Sequence, residues 1–356
     1  MKRFVLLFTI FSLLGVTMAS CSPSVKDSSD VSFEYSLNEE KTAYTIKGSN
    51  IAWKTQKDNW KMINLVIPSE YNGLPVTKIG FESFRNCQVL QSVTIPDSIT
   101  TIESGAFFDC NYLESVYIPE KLEHLKGEPF RSCNSLKTID VDSNNPSYSS
   151  VDGVLYTKNL KELIFYPPGR NQTEFAIPSG VEIVHKYAFS HCEKLQRIIV
   201  PASVYQLPYN AIIFCNGLEG ITVNENNQTY KSFEGNLYSK DGKTFLRLCV
   251  STEETRLVIP NGCLRISSFA AYYCDNLVSV TISESVTHIG ESAFSQCDNL
   301  TEANFENPSG WKVVSSEGKL NTTKHLNNEE MQSYSTGAKY LSESYTSYEW
   351  YLENDY

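Results

Sequence analysis

Cysteine is the residue whose spacing in this 356-residue chain first suggests chemistry, and there are ten of them. Seven obey one rule, because neighbours along the chain are either 23 or 59 residues apart. A cysteine at a fixed place in every repeat suggests disulfides in an exported protein. Self-similarity at a short fixed period also indicates a stacked-repeat architecture. We call these seven residues the cysteine ladder: Cys87, Cys110, Cys133, Cys192, Cys215, Cys274 and Cys297.

Apolar residues recur in step with the ladder. A leucine lies three residues after each of the seven cysteines, and a Val or Ile pair with a spacing of two follows in most repeats, as in Val93 and Ile95. This pair predicts a strand with one buried face. An Ala-Phe pair, such as Ala106-Phe107, precedes several of the cysteines and is expected in the core. One turn cannot bury its apolar face alone, so the pattern predicts turns that stack into a continuous core.

Stacking favours free thiols over disulfides. Equivalent side chains of neighbouring turns lie about 4.8 Å apart and point the same way, whereas a disulfide needs side chains that converge. We therefore expect the cysteine ladder to consist of small, buried, unreactive thiols. Cys263 falls at an apolar core position, and Cys249 has no assigned role.

Each of the two gaps of 59 residues equals 23 plus 36, which predicts a hairpin-like insert of 36 residues beside a plain turn. The residues Asn145 to Tyr148 recur 82 positions later as Asn227 to Tyr230, and Gly153 recurs as Gly235. A Gly-x-Leu-Tyr sequence predicts a turn that enters a strand. The tyrosines of these segments could contact a ligand, since Tyr is enriched at recognition surfaces. Their periodic recurrence favours packing instead. The ligand-binding candidates are Tyr148, Tyr166 and Tyr230.

The repeat resembles a known family. The sequence from Ile95 to Cys110 resembles the BspA-type leucine-rich repeat of Bacteroides-group surface proteins, and Ile67 to Gly80 is similar to the family's usual first turn. Val151 to Tyr156 resembles its long-turn variant. The resemblance covers about residues 34 to 310. It implies a leucine-rich-repeat solenoid, rich in β-structure with short helical and 3-10 segments. There would be about 23 residues per turn, two turns with 36-residue inserts and a cap at each end. Ile212 and Ala271 depart from the pattern, because they stand where Phe is expected.

The N-terminus has the features of an export signal. Lys2 and Arg3 precede an apolar run that is too short to span a bilayer, and small residues follow it. The residues Met18 to Cys21 resemble a bacterial lipobox, which implies that Cys21 carries a lipid. An ordinary signal peptide with a chance cysteine is the alternative. The following polar residues predict a flexible tether.

The predicted domains follow from these features. Alternating apolar residues before the repeats favour an N-terminal β cap, and an aromatic tail after them favours a C-terminal cap that buries those rings. We expect a signal peptide over residues 1–20, a lipidated tether over 21–31, an N-terminal cap over 32–64, the solenoid over 65–305 and a C-terminal cap over 306–356.

Composition and motifs exclude several functions. The net charge is −11, or −13 without Lys2 and Arg3, so nucleic acid is not expected as a partner. Hydrolase, zinc-protease and phosphate-loop motifs do not occur. His124 and His288 share a repeat position with varied residues, which is typical of a solvated face. We expect no enzyme activity, no metal and no cofactor.

The leading hypothesis is an exported, non-catalytic adhesion protein that is anchored to the outer membrane by its lipid, at the cell surface, and contacts the membrane through that lipid alone. Its solenoid face would engage a host matrix protein or a bacterial surface protein, as the family resemblance implies. The alternative is a glycan-binding accessory lipoprotein, because surface tyrosines can stack on sugar rings.

Overall fold

The structure is a computed structural model, and it describes residues 28–55, 60–249, 255–315 and 323–352. The chain forms a β-solenoid of about ten turns with roughly 23 residues per turn and little helix. The predicted signal peptide and Cys21 lie outside the described residues, as does most of the predicted tether. None of the described helices is long and apolar enough to cross a membrane.

Each turn contributes one strand of three to five residues to a parallel ladder. Val93 pairs with Val116 on one side and with Leu65 on the other, so equivalent residues of successive turns stack. The Val and Ile pairs of these strands face the core; most of their side chains are buried, and Val141 and Val223 are half-buried. The ladder is divided into three sheets. They contain Ile63–Val66, Leu90–Thr94, Ser115–Ile118 and Thr138–Val141; then Glu174–Ala176, Arg197–Val200 and Gly220–Val223; then Arg256–Val258, Ser279–Ile282 and Glu302–Phe305.

A second ladder of shorter strands forms the opposite wall of the core. Most of its strands are two residues long and pair in parallel with the equivalent strand of the next turn. Its members are Tyr44–Ser49, Leu74–Ile79, Thr101–Ile102, His124–Leu125, Glu162–Phe165, Ile183–Val184, Thr244–Arg247, Arg265–Ile266 and His288–Ile289.

The two long gaps form long turns. Ile139 and Phe175 hold equivalent positions 36 residues apart, and Ile198 follows after a further 23. The 36 residues are therefore one complete turn, not an addition to a plain turn, and the extra 13 residues form a hairpin. In the first hairpin, Asp152 and Gly153 both have positive φ, as a tight primed turn requires. The hairpin strands are Tyr148–Val151 with Val154–Thr157, and Tyr230–Phe233 with Asn236–Ser239.

Antiparallel strands and short helices cover the ends. At the N-terminal end, Phe33–Leu37 pairs with Tyr44–Ser49, and Glu70–Tyr71 pairs with Leu74–Ile79. At the C-terminal end, Trp350 is buried and its ring stacks on Phe305 of the last repeat strand with centroids 6.1 Å apart. The remaining elements are the strands Trp311–Ser315, Thr323–His325 and Tyr348–Leu352, the α-helices Asn328–Met331 and Tyr334–Lys339, the π-helix Tyr340–Ser344 and the 3-10 helices Ser28–Asp30 and Tyr209–Ala211.

Candidate functional site

The cysteine ladder lies inside the solenoid. All seven thiols are free, six are buried and Cys274 is half-buried. Five of them donate a hydrogen bond to the backbone carbonyl 26 residues earlier, as Cys110 does to Phe84 at 3.1 Å. The thiol thus satisfies a carbonyl of the preceding turn that no strand pairs. The other four donors are Cys133, Cys192, Cys215 and Cys297.

Burial disfavours the thiolate form of Cys87 and Cys110. It raises the pKa of Cys87 to about 12 and the pKa of Cys110 well above its ordinary value. Since the thiolate is the reactive form, these two thiols are poor nucleophiles. A hydrogen bond with Cys192 lowers the pKa of Cys215. Cys249 and Cys263 are buried as well. No group of His, Cys, Asp and Glu within the described part of the chain has the geometry to hold a metal ion.

The insert tyrosines contact the protein itself. The Tyr148 hydroxyl accepts a hydrogen bond from the Leu125 amide at 2.8 Å, and the Tyr230 hydroxyl accepts one from Leu207 at 2.9 Å. These hydroxyls take the place of a backbone partner beside a short strand. Tyr166 is 1% exposed and stands in the core column of the repeat phenylalanines, with its ring 5.6 Å from Phe189. Tyr166 and Tyr230 are buried, Tyr148 is half-buried, and their role in ligand binding stays a prediction.

A different row of side chains is accessible. It begins at Trp53, which is 58% exposed, and continues through half-buried residues of three successive turns. The guanidinium of Arg85 lies between the rings of Trp53 and Phe108, at 5.1 and 4.9 Å from their centroids. Arg131 lies 5.8 Å from Phe108 and 4.0 Å from Tyr187. Each cation over a ring is stabilised by the ring's negative face.

The row continues along the next turns by ring contacts. His191 is joined to the Arg131 turn by a hydrogen bond with Ser132 at 3.2 Å and stacks on Phe214 at 4.7 Å. Phe214 meets Tyr273 edge to face at 5.4 Å. Further ring contacts join three more residues to the row: Phe214 contacts Tyr272, Tyr272 contacts Phe269, and Phe269 stacks on Tyr209. We call the whole set the edge band: Trp53, Arg85, Phe108, Arg131, Tyr187, His191, Tyr209, Phe214, Phe269, Tyr272 and Tyr273.

One local feature of the repeat positions the edge band. All of its residues except Trp53 lie within the six positions before a ladder cysteine. There each turn bends between its strand in the second ladder and the next strand in the first ladder. The residue directly before every ladder cysteine has positive φ, including His191 at 62° and Phe214 at 57°. This bend turns the side chains outward along one edge. At one strand spacing per turn the band extends roughly 30 Å.

The band has the chemistry of a recognition surface. It combines arginines and aromatic rings, and it contains no nucleophile activated by a neighbouring base. Burial, and then the charge of Arg131, lower the pKa of His191, so its ring is neutral at pH 7. His288, which the sequence placed on a solvated face, is half-buried against Tyr351 at the C-terminal end, and burial lowers its pKa as well. Neither histidine joins a catalytic row in the described residues.

Sequence reasoning did not find the edge band because its positions vary in residue type. The position before the cysteine holds Asn86, Asp109 and Ser132 in the first turns, and His191, Phe214 and Tyr273 in later turns. The available signal was the placement of large aromatic residues at a position that small polar residues otherwise fill.

The fold and this surface define a leucine-rich-repeat protein of the β-solenoid type. More specifically, the chain belongs to the family of the BspA type leucine rich repeat region. The model of that family matches six copies within residues 50–167, 158–240 and 243–324.

Solved structures include similar chains. A leucine rich cell surface protein from Faecalibacterium prausnitzii is 25% identical, with a TM-score of 0.45, over 78% of this chain and 75% of that one. A leucine-rich repeat protein from Eubacterium ventriosum is 20% identical, with a TM-score of 0.43, over 74% and 92%. One from Bacteroides ovatus is 18% identical, with a TM-score of 0.39, over 77% and 69%. No curated protein matches the chain.

Proposed function

We propose that this protein is a non-catalytic binding protein of the bacterial cell surface and that the edge band engages a host or bacterial protein. The observation that carries this proposal is the continuity of the band. Cation and ring contacts connect side chains from Trp53 to Tyr273 along one edge of the solenoid, with one hydrogen bond between Ser132 and His191 as the link between its two halves. Extended surfaces of this kind are the binding surfaces that repeat proteins use.

The composition of the band favours a protein partner. Tyr, Trp and Arg are enriched at the residues that dominate protein–protein binding energy. The arginines are already held over rings, and Arg85 also forms an ion pair with Glu82. Side chains that are ordered before binding lose less conformational entropy when a partner arrives. A protein surface with carboxylates and apolar side chains would complement this pattern.

Placement at the cell surface rests on the sequence before the described residues. The residues Met18 to Cys21 match a lipobox, with Met18 in place of the usual leucine. A lipid on Cys21 would anchor the protein to the outer membrane, and a second membrane contact is not required. Labelling of cells with an alkyne fatty acid should mark the native chain and leave a Cys21→Ser chain unlabelled. Protease treatment of intact cells would then distinguish the surface from the periplasmic face.

A matched pair of tyrosines tests the band itself. Tyr209 belongs to the band and is 45% exposed. Tyr117 lies outside the band, on the strand Ser115–Ile118, and is 43% exposed. The mature protein is immobilised and titrated with purified collagen, fibronectin, laminin and mucin. For a partner found in this panel, Tyr209→Ala and Trp53→Ala should each weaken binding by about tenfold or more, which corresponds to about 1.4 kcal/mol. Tyr117→Ala should leave affinity within twofold. Equal losses for Tyr209→Ala and Tyr117→Ala would contradict the assignment of the band.

A glycan is the second candidate partner, and the exposed rings of Trp53 and Tyr209 favour it. Flat aromatic faces can stack on sugar rings, as they do on other planar or apolar groups. A glycan array distinguishes the two cases. Saturable glycan binding that Trp53→Ala abolishes, without binding to any deglycosylated protein, would replace the protein partner by a carbohydrate.

A further inference from the structure

Arg247 is an arginine inside the solenoid. Its side chain is only 6% exposed, and its Nη1 donates a hydrogen bond to the Phe269 carbonyl at 3.1 Å. The buried Nε has no hydrogen-bond partner among the described residues. No carboxylate of the described residues lies within ion-pair distance of this guanidinium. A buried charge without a counter-charge is costly, because a single hydrogen bond to a carbonyl does not replace the hydration that the guanidinium loses.

The two long turns differ at this point. Arg247 ends its short strand opposite Leu237, and Phe165 ends the equivalent strand of the first long turn opposite Leu155. Phe165 is 7% exposed and belongs to the hydrophobic core. The position therefore accepts an apolar ring without loss of the fold. An arginine here is not needed for the architecture of a long turn.

Arg247 lines a cavity of about 110 Å³. Asn216, Asn276 and Tyr273 also line it, and Tyr273 connects the cavity to the edge band. Two neighbouring thiols do not supply a counter-charge, because burial raises the pKa of Cys274 and raises that of Cys249 to about 12. Cys215 also lines the cavity, and its pKa is lowered by a hydrogen bond with Cys192 and by the charge of Arg247.

We propose that this cavity binds a single carboxylate group, which the Arg247 guanidinium holds with the help of the neighbouring amides. Guanidinium and carboxylate are matched in planar geometry and form two parallel hydrogen bonds. A volume of 110 Å³ admits a carboxylate with one or two carbon atoms. The group can come from a free small carboxylate or from an Asp or Glu side chain of the protein partner. The second source rests on the proposed function, because that side chain would enter beside Tyr273.

Asp275 also lines the cavity and opposes an entering anion. It is exposed, so water screens its charge more effectively than it screens a buried one. Replacing its carboxylate by an amide should therefore strengthen carboxylate binding. The Asp275→Asn variant is therefore expected to bind a carboxylate more tightly, whereas Arg247→Phe is expected to lose carboxylate binding.

The test is thermal unfolding of the mature protein in sodium acetate, with equal concentrations of acetamide and of sodium chloride as controls. A ligand that binds the folded state raises the melting temperature. We expect acetate to raise it by about 2 °C or more at concentrations well above its Kd, and acetamide to leave it unchanged. Arg247→Phe should abolish the acetate shift, whereas Asp275→Asn should produce it at lower concentration. Tyr209→Ala should keep it, so failure of the edge band does not remove this result.

Two peptides separate the sources. An acetylated and amidated Gly-Gly-Glu-Gly-Gly peptide and its Gln counterpart replace acetate in the same assay. A shift with the Glu peptide assigns the site to a side chain, and a shift with acetate alone assigns it to a free carboxylate. If Arg247→Phe does not fold, Asn276→Leu replaces it and should also abolish the shift.

Three results would overturn the proposal. The first is equal shifts in acetate and acetamide, or in acetate and chloride. The second is an acetate shift that survives Arg247→Phe. The third concerns Glu253 and Glu254, which follow Cys249 in the sequence and lie outside the described residues. If acetate acts only after both are changed to Gln, the chain itself supplies the carboxylate.

Discussion

Stacked phenylalanines in the core provide a direct test of the repeat packing. Phe84 and Phe107 are both fully buried, and their rings are nearly parallel, at 5°, with centroids 5.1 Å apart. This separation is close to the spacing of adjacent strands, so the solenoid imposes the stack. Replacing either residue by Leu should cost up to about 1.5 kcal/mol. Ring pairs contribute about 0.5–1.5 kcal/mol beyond the area that they bury. The double variant should therefore cost less than the sum of the singles by about that amount.

The control uses a distant ring from the same column. Phe294 is also fully buried, but its equivalent neighbour in the preceding turn is Ala271 and not a ring. The pair Phe107 and Phe294 should be additive within about 0.5 kcal/mol. Urea unfolding measures each free energy, and an unchanged slope against denaturant is required, because repeat arrays can unfold in parts. The same coupling energy in both pairs would refute the stacking argument.

Four further predictions follow from the buried polar groups and the thiols. Asn145→Ala should cost about 2–4 kcal/mol, because the Asn145 amide bonds two backbone carbonyls of the preceding turn at 2.7 and 3.0 Å; an unchanged urea midpoint would contradict this role. Tyr148→Phe removes a hydroxyl that bonds a strand amide and should cost about 1 kcal/mol in the same assay, and Tyr230→Phe should match it. Iodoacetamide at pH 8 should label Cys87 only after unfolding, since its pKa is raised to about 12; mass spectrometry of native and urea-treated samples checks this, and native labelling would be inconsistent with the buried ladder. The folded-state pKa of His191 is lowered from 6.5, so the unfolded chain binds a proton first and stability falls as the pH drops below about 6.5. The loss of urea midpoint between pH 7.5 and 5.5 should be smaller in His191→Gln, and an identical loss would show that this histidine is not responsible.

The repeat could be predicted from the sequence because its core positions tolerate few residue types. Leu and Cys recur every 23 residues where the interior has room for only one side chain per turn. The parallel register, in which Val93 pairs with Val116, follows from the 23-residue period. The long turns were recognised from the recurrence of Asn145 as Asn227, but a period alone does not distinguish one 36-residue turn from a plain turn with an insert.

The proposed binding surface is less predictable from the sequence, because a surface position has no volume constraint. The sequence suggests Tyr148 and Tyr230 for ligand binding because tyrosine is common at interfaces, and this stays a prediction. The structure adds that their hydroxyls accept hydrogen bonds from backbone amides beside short strands. Arg247 was not singled out either. Its charge is visible in the sequence, but its burial follows from its alignment with Phe165 across the two long turns.

The backbone before each ladder cysteine supports a functional origin of the edge band. This position is left-handed in all seven ladder turns, and such a conformation disfavours bulky side chains more than Asn or Asp. The chain places Asn86 and Asp109 there in early turns, but Phe214 and Tyr273 in later ones. An aromatic residue at this position is strained by about 1 kcal/mol or more. Packing of the solenoid does not require that strain, because the small residues support the same bend. Contact with a partner is the benefit that would maintain large rings at these positions.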